Sequence, residues 1–286
     1  MYQVIVGDRH DTRYKAMMNN LMKSVFGFTF ERWYARDLWN EGYECYSVVY
    51  DGRLISNVSM TKMTLLVAGH RVPAIQLGAV ATLPEYRGLG LSRRIMEHIL
   101  DKYLGTPAFL FANKSVLEFY PKFGFEPVME VQPYMQLQRP LPGGMCSKLS
   151  IDSPILAHHV GRRHHFSAVL DALDAESVNW FHILMEFEDA IYHIPHMDII
   201  VIATQEGDTV TIYDVLGDTD VPLLEIIQYL PFQGCDTVDF AFMPDALGCD
   251  YMTRKMGAGG GSGYLFCKEL DLKKDFKFPY MAKRST

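Results

Sequence analysis

The chain has 286 residues, 49% of them hydrophobic and 13% aromatic, and a formal net charge of −7. That length and apolar content are enough for two globular domains. The acidic balance argues against nucleic acid as the main partner, because phosphate contacts need clustered Lys and Arg, and it favours cationic partners such as amines.

Targeting signals and cysteine pairs are not recognisable in the sequence. The amino terminus lacks a basic segment followed by an apolar run, and nowhere do eighteen apolar residues follow one another. The five cysteines are scattered without a Cys-x-x-Cys pair, so we expect neither a disulfide framework nor a zinc site. The sequence therefore predicts a cytoplasmic protein without membrane contact.

The first half is predicted to open with a helix over 12–25, where apolar residues recur at helical spacing behind Asp11 as the cap. An aromatic-rich linker follows. An antiparallel meander is then predicted, with strands at 43–50, 53–60, 61–68 and 72–82. The dipeptide Asp51-Gly52 between the first two strands is a strong hairpin signal.

The meander ends in a turn rich in arginine and glycine that opens a helix. Gly88 and Gly90 lack a Cβ, so the backbone can approach an anion, while Arg87 and the free N–H groups of the helix supply positive charge. Apolar residues from Leu91 to Leu100 recur at helical spacing. The turn matches neither a P-loop nor a Rossmann fingerprint. It predicts a pyrophosphate site, the alternative being a glycine turn with an incidental arginine.

The remaining elements complete the first half, and the second half then repeats its order without the turn. In the first half we expect a strand at 108–112, a short helix at 114–121 and a last strand or strand pair at 128–138. A Pro-Gly-rich boundary starts at Pro140. In the second half, helices are predicted at 165–193, at 222–230 with Asp220 as cap, and at 244–256. Strands are predicted there at 198–205, 208–216, 236–242 and 263–268. Since no Arg-Gly-x-Gly turn recurs, no second anion site is expected.

Two stretches together resemble the Gcn5-related N-acetyltransferase (GNAT) superfamily. Residues 87–92 match the family's pyrophosphate turn, and Tyr120 with Gly124-Phe125 matches its second element. Residues 80–87 are most similar to the tandem branch that includes the enhanced-intracellular-survival (Eis-like) acetyltransferases. That branch has a catalytic domain, a degenerate second copy and often a sterol-carrier-like domain. A chain of 286 residues is too short for all three, so we expect the last to be missing.

The resemblance implies a mixed α/β, that is α+β, fold: a GNAT domain with a central mixed sheet over 1–139, a linker over 140–164 and a degenerate GNAT-like domain over 165–286. It implies acetyl-CoA as co-substrate, no metal, and direct transfer to a primary amine of a small molecule or peptide. The positions that match the family's cofactor contacts are Val80, Ala81, Thr82, Arg87, Gly88, Leu89, Gly90, Leu91, Ser92, Arg93, Asn113, Ser115 and Val116.

The catalytic groups follow from the same resemblance. Tyr120 is the expected general acid, because a phenol is protonated at neutral pH, although it could instead only pack in the core. Asn113 could likewise cap a helix. In tandem relatives the C-terminal carboxylate is the base, which here is Thr286. The alternative carboxylates in the linker are Glu31, Asp37 and Glu41.

An aromatic cluster lies where the family builds its acceptor pocket: Phe26, Phe28, Phe30, Trp33, Tyr34 and Trp39. Within it we expect Phe28 and Trp33, together with Asp37, to bind the amine. Core packing between helices explains the same aromatics equally well. A group of histidines at 158, 159, 164 and 165 invites a metal site, which the lack of partner ligands disfavours.

Two other functions stay open. The chain could be a non-catalytic acyl-CoA sensor, against which the combination of Tyr120 and an intact turn argues. It could also be an acyltransferase with a longer acyl group or a hydroxyl acceptor. A homo-oligomer is compatible with the sequence.

Overall fold

The computed structural model describes residues 2–217, 222–256, 263–272 and 275–283. The first elements in the chain are β1 (Val4–Val6), α1 (Thr12–Phe26), α2 (Glu31–Tyr34), β2 (Tyr43–Tyr50), β3 (Arg53–Val67) and β4 (His70–Thr82). The Asp11 side chain accepts hydrogen bonds from the N–H groups of Arg13 and Tyr14, which confirms the predicted cap. The two strands predicted at 53–60 and 61–68 are a single strand, β3.

The next elements complete the first half. They are a 3₁₀ turn (Pro84–Tyr86), α3 (Leu91–Lys102), β5 (Ala108–Ala112), 3₁₀ turns at Lys114–Val116 and Tyr120–Phe123, and β6 (Glu126–Pro127). The predicted helix at 114–121 is thus two separate 3₁₀ turns. Leu91, Ile95 and Ile99 are buried on the inner face of α3, as the apolar periodicity predicts.

The second half contains more strands than predicted. Its elements are β7 (Val131–Gln136), β8 (Ser147–Lys148), α4 (Pro154–Val160), β9 (Leu170–Leu173), α5 (Glu176–Met185), β10 (Ile191–Ile194), β11 (Ile199–Glu206), β12 (Thr209–Leu216), α6 (Leu223–Ile226), β13 (Thr237–Phe240), β14 (Met252–Lys255) and β15 (Tyr264–Lys268). Short 3₁₀ turns lie at Ile227–Tyr229 and Tyr280–Ala282.

Two helix predictions in this half are wrong. Residues 165–193 form two strands around α5, because Asp174 has a φ of 57° that interrupts a helix between β9 and α5. Residues 244–256 are not helical: Pro244 and Gly248, with a φ of 60°, break the segment before β14 pairs with β7. The predicted cap Asp220 lies outside the described residues.

Two mixed sheets form the architecture, and they exchange strands. The first has the order β1-β2-β3-β4-β5-β15-β6, with β9 on β3, and the second has the order β14-β7-β13-β12-β11-β10-β8. The segment predicted at 128–138 to finish the first sheet therefore supplies β7 to the second sheet. Strand β15, from near the end of the chain, pairs with all of β5 instead. The exchange crosses the predicted boundary at 139, and the predicted linker carries β8 and α4.

The two halves also meet through α2. Trp33 is 1% exposed, and its indole N–H donates to the Ser177 carbonyl on α5 at 2.8 Å. Arg32 donates to the Leu184 carbonyl at 2.8 Å, and Arg36 pairs with Asp152. Trp33 and the two arginines around α2 therefore join the second half to the first.

A buried ionic cluster lies where the end of the chain crosses between the sheets. Lys283 lies 3.2 Å and Lys277 3.8 Å from the carboxylate of Glu130, and all three side chains are almost fully buried. Burial, helped by the Lys283 ammonium, lowers the pKa of Lys277 to about 8 against the opposing attraction of Glu130. The five cysteines, all within the described residues, form no disulfide. None of the described helices has both the length and the apolar character needed to cross a membrane.

We expect Lys277→Met to stabilise the protein more at pH 7 than at pH 10. The pKa of Lys277 is lower in the folded state than in the unfolded state, so the folded wild type bears a buried ammonium below about pH 8 that it sheds at higher pH. The gain in unfolding free energy should be larger at pH 7 by roughly 2 kcal/mol. Urea unfolding at both pH values measures it. Lys122→Met, at an exposed lysine, is the control, and an equal pH-dependent gain there contradicts the prediction.

We expect Trp33→Phe to lower the unfolding free energy by about 2 kcal/mol, because the buried Ser177 carbonyl loses its donor and the smaller ring leaves a void. Urea unfolding measures this loss. A change below about 0.5 kcal/mol, the range of ordinary surface substitutions, contradicts the structural role of this residue.

Candidate functional site

The site begins where two neighbouring strands separate. Parallel pairing of β4 with β5 covers only Ile75–Leu77 against Ala108–Leu110. Beyond it, a bulge places Ala79 and Val80 opposite Val58 of β3, since Asn57 pairs with Ala81 and Ser59 pairs with Gly78. Strand β4 thus stays on β3 while β5 follows β15, and a cleft opens between the two strands.

The Arg-Gly turn closes one end of this cleft. Gly88 and Gly90 have φ values of 80° and 72°, and a Cβ at either position would meet no protein atom within 4 Å. The glycines are therefore required by backbone conformation, and the space before them is open to a ligand. Gly90 precedes α3, whose first N–H groups lack helical partners and favour an anion. Arg87 donates to the Thr82 carbonyl at 3.3 Å.

Three hydroxyl groups join the end of β4 to the first turn of α3. The Thr82 hydroxyl lies 2.7 Å from that of Ser92 and 2.8 Å from that of Ser56 on β3. These contacts hold the start of α3 at a fixed position beside the cleft. The same hydroxyl of Ser56 donates to the Ala81 carbonyl at 3.0 Å.

The cleft has a volume of about 730 Å³ and brings most of the predicted cofactor residues together. Those in its lining are Val80, Thr82, Arg87, Gly88, Gly90, Leu91, Ser92, Arg93, Asn113, Ser115 and Val116. Two predicted residues do not line it: Ala81 is 1% exposed and packs in the core, and Leu89 is 56% exposed outside the lining. Val25, Phe26, Tyr86 and Phe119 complete the lining. Of these, only Phe26 belonged to a predicted pocket, that of the acceptor.

Tyr120 lies on the same cleft, at the first position of its 3₁₀ turn. Its residue is 1% exposed, and its ring packs edge-on against Phe119 and Phe125, with centroids 5.2 and 6.4 Å away. The ring is thus held in one place by the core while the residue borders the cleft. Asn113 precedes the 3₁₀ turn at Lys114–Val116 but makes no capping bond with its side chain there, so helix capping does not account for it.

The residues predicted to bind the acceptor are not gathered at the cleft. Trp33 is not a pocket wall, because it is buried between the halves. Phe28 is partly exposed and stacks on Phe26 at 6.1 Å, next to the lining but not in it. Asp37 is exposed with a φ of 52°. Aromatic composition alone could not distinguish pocket from core here.

No Asp, Glu or His is among the described residues that line the cleft. The candidate bases Glu31, Asp37 and Glu41 are exposed outside it, and Glu41 pairs with Arg9 at 3.2 Å. Thr286 lies outside the described residues.

The predicted histidine group lines a different cleft of about 860 Å³, on the second half. His158, His164 and His165 are exposed there, whereas His159 is buried and lies within hydrogen-bond distance of the Asp198 carbonyl at 2.8 Å. Within the described ranges, three or more His, Cys, Asp or Glu side chains nowhere come together as metal ligands.

The part of the chain that carries the cleft matches a known protein family. Residues 11–128 match the acetyltransferase (GNAT) domain family. No curated protein sequence is significantly similar to the chain.

Solved structures extend the likeness to 93% of the chain. A GCN5-related N-acetyltransferase from Kribbella flavida is 16% identical with a TM-score of 0.58, over 71% of its own length. Eis1 from Mycobacterium abscessus is 15% identical with a TM-score of 0.58, over 73% of its length. A probable N-acyltransferase from Enterococcus faecalis V583 is 16% identical with a TM-score of 0.57, over 72% of its length. At these identities the likeness shows the fold. The chain thus contains a domain at 11–128 that matches the GNAT acetyltransferases, and over 93% of its length it has the mixed α+β fold of these solved structures.

Proposed function

We propose that the protein is an acetyl-CoA-dependent N-acetyltransferase that transfers the acetyl group directly to a primary amine. One observation carries the proposal: the Arg-Gly turn, the free edge of β4 and Tyr120 all border a single cleft. The turn would bind the pyrophosphate, the edge of β4 would bind the thioester, and Tyr120 would serve the leaving thiolate. The acceptor would be a small molecule or a peptide that carries a primary amine.

Two features of the cleft suit acetyl-CoA. The open space before Gly88 and Gly90, together with the N–H groups at the start of α3 and the guanidinium of Arg87, suits a pyrophosphate. The edge of β4 at Val80 and Thr82, where pairing with β5 has ended, suits the amide groups of pantetheine. An N–H of this edge would stabilise negative charge on the thioester oxygen, an effect that contributes about 3 kcal/mol in other acyl transfers.

Proton transfer completes the reaction. Tyr120 would donate a proton to the departing thiolate of CoA, for which a group that is protonated at neutral pH is suited. For the base we propose the C-terminal carboxylate of Thr286. The position of Lys283, three residues before Thr286, supports this: its ammonium lies 4.7 Å from the ring centre of Phe111 on β5, one residue beyond the pairing of β5 with β4. Removal of residues 284–286 with unchanged kcat would exclude that role.

We expect Gly90→Ala to weaken acetyl-CoA binding at least tenfold. The new Cβ would occupy the open space before α3, and the positive φ of 72° would strain the backbone. Isothermal titration with acetyl-CoA measures the affinity. Gly69→Ala is the matched control, because Gly69 has a φ of 79° with equally free surroundings in the β3–β4 hairpin. Equal affinities of the two variants would contradict the proposed pyrophosphate site.

We expect Tyr120→Phe to lower kcat at least a hundredfold while the acetyl-CoA dissociation constant changes less than threefold, because the ring still packs and only the proton donor is lost. Release of the CoA thiol with a panel of amines measures turnover. Unchanged turnover removes the acid role. A wild type that binds acetyl-CoA but acetylates no amine, and no hydroxyl acceptor, would favour the sensor over the enzyme.

A further inference from the structure

One carbonyl group of the bulge in β4 is held by a side chain of β3. Ala79 has a φ of 48°, an unfavourable conformation for a residue other than glycine. The Asn57 side-chain N–H donates to the Ala79 carbonyl at 3.0 Å, and Asn57 is fully buried. A strained backbone conformation persists only where its surroundings fix it, and Asn57 makes the contact that does so here.

The orientation of Asn57 is itself fixed by a buried network. Its carbonyl oxygen accepts from the Ser47 hydroxyl at 2.8 Å, and its N–H group also donates to Ser59 at 3.0 Å. Ser47 lies 2.6 Å from the Tyr14 hydroxyl on α1, and Ser59 accepts from Tyr43 at 2.7 Å. A flipped amide would place its oxygen against the Ala79 carbonyl. The network therefore permits one orientation, with the N–H group toward the bulge.

The contact between Asn57 and the Ala79 carbonyl also sets the direction of the next N–H group, that of Val80. In a trans peptide the C=O and N–H groups point in opposite directions. Because the Ala79 carbonyl points toward Asn57 on β3, the N–H of Val80 points away from β3, toward the separation from β5. Ser56 does the same one step further: it holds the Ala81 carbonyl at 3.0 Å and so directs the N–H of Thr82 to the cleft. Both Val80 and Thr82 line the cleft.

We propose that Asn57 is a positioning residue for acyl transfer, which holds the Ala79 carbonyl and thereby aims the Val80 N–H at the thioester oxygen. The inference rests on the proposed acetyl-CoA site. Asn57 touches neither substrate, and it acts through the peptide between Ala79 and Val80. Its contribution should grow as negative charge develops on the oxygen, so it affects turnover much more than cofactor affinity.

The test compares Asn57→Asp with a variant of matched instability. Asn57→Asp keeps the shape but replaces the N–H donor with an acceptor that repels the Ala79 carbonyl. Leu65→Ala removes a fully buried side chain from the same strand, far from the bulge, and is the control for lost stability. We expect Asn57→Asp to lower kcat at least tenfold with the CoA dissociation constant within threefold of wild type, and Leu65→Ala to keep its kcat. A kcat of Asn57→Asp within twofold of wild type overturns the proposal.

A spectroscopic measurement separates this inference from the proposed function. The infrared carbonyl band of acetyl-CoA labelled with ¹³C at the thioester should shift to lower frequency on binding wild type, and the shift should shrink in Asn57→Asp. An equal shift in both proteins overturns the inference even where turnover is normal. A shift that depends on Asn57 in a wild type without transferase activity upholds the inference and refutes the function. Where Asn57→Asp does not fold, Asn57→Ala serves in both measurements.

Discussion

The separation of β4 from β5 is the constraint on which the site depends. Only three residue pairs, Ile75–Leu77 with Ala108–Leu110, join the two strands. Strand β5 is buried along its whole length and pairs with β15 over all five residues, so its other edge is satisfied elsewhere. Strand β4 is paired with β3 on both sides of the bulge, and the side chains of Ser56 and Asn57 donate to its carbonyl groups. The cleft exists because each strand follows a different neighbour.

The exchange of β7 and β15 makes the two halves of the chain depend on each other. The first sheet, which bears the site, includes β15 from the second half, and α2 contacts α5 through the indole of Trp33. The cluster of Lys277, Lys283 and Glu130 lies at the crossing and places charge where both sheets meet. A change in the second half can therefore alter the cleft without contacting it.

Local signals in the sequence predict the Arg-Gly turn and α3, because positive φ values at Gly88 and Gly90 and helical periodicity leave direct traces in residue choice. Which sheet β15 joins depends on pairing between residues that are far apart in the sequence, and no local pattern predicts such pairing. The helical reading of 165–193 failed because β9 and β10 are short buried strands that periodicity cannot tell from helix. Asn57 could have been noticed from the sequence, because asparagine is depleted within strands and one that is buried there needs hydrogen-bond partners.

A crystal structure of the protein with acetyl-CoA would show directly whether the thioester lies between β4 and β5. We expect the pyrophosphate against the N–H groups between Gly88 and Ser92, and the thioester oxygen about 3 Å from the Val80 nitrogen. Acetyl-CoA bound in the histidine-lined cleft of the second half, or with its acetyl group away from the separation of β4 and β5, would contradict this expectation.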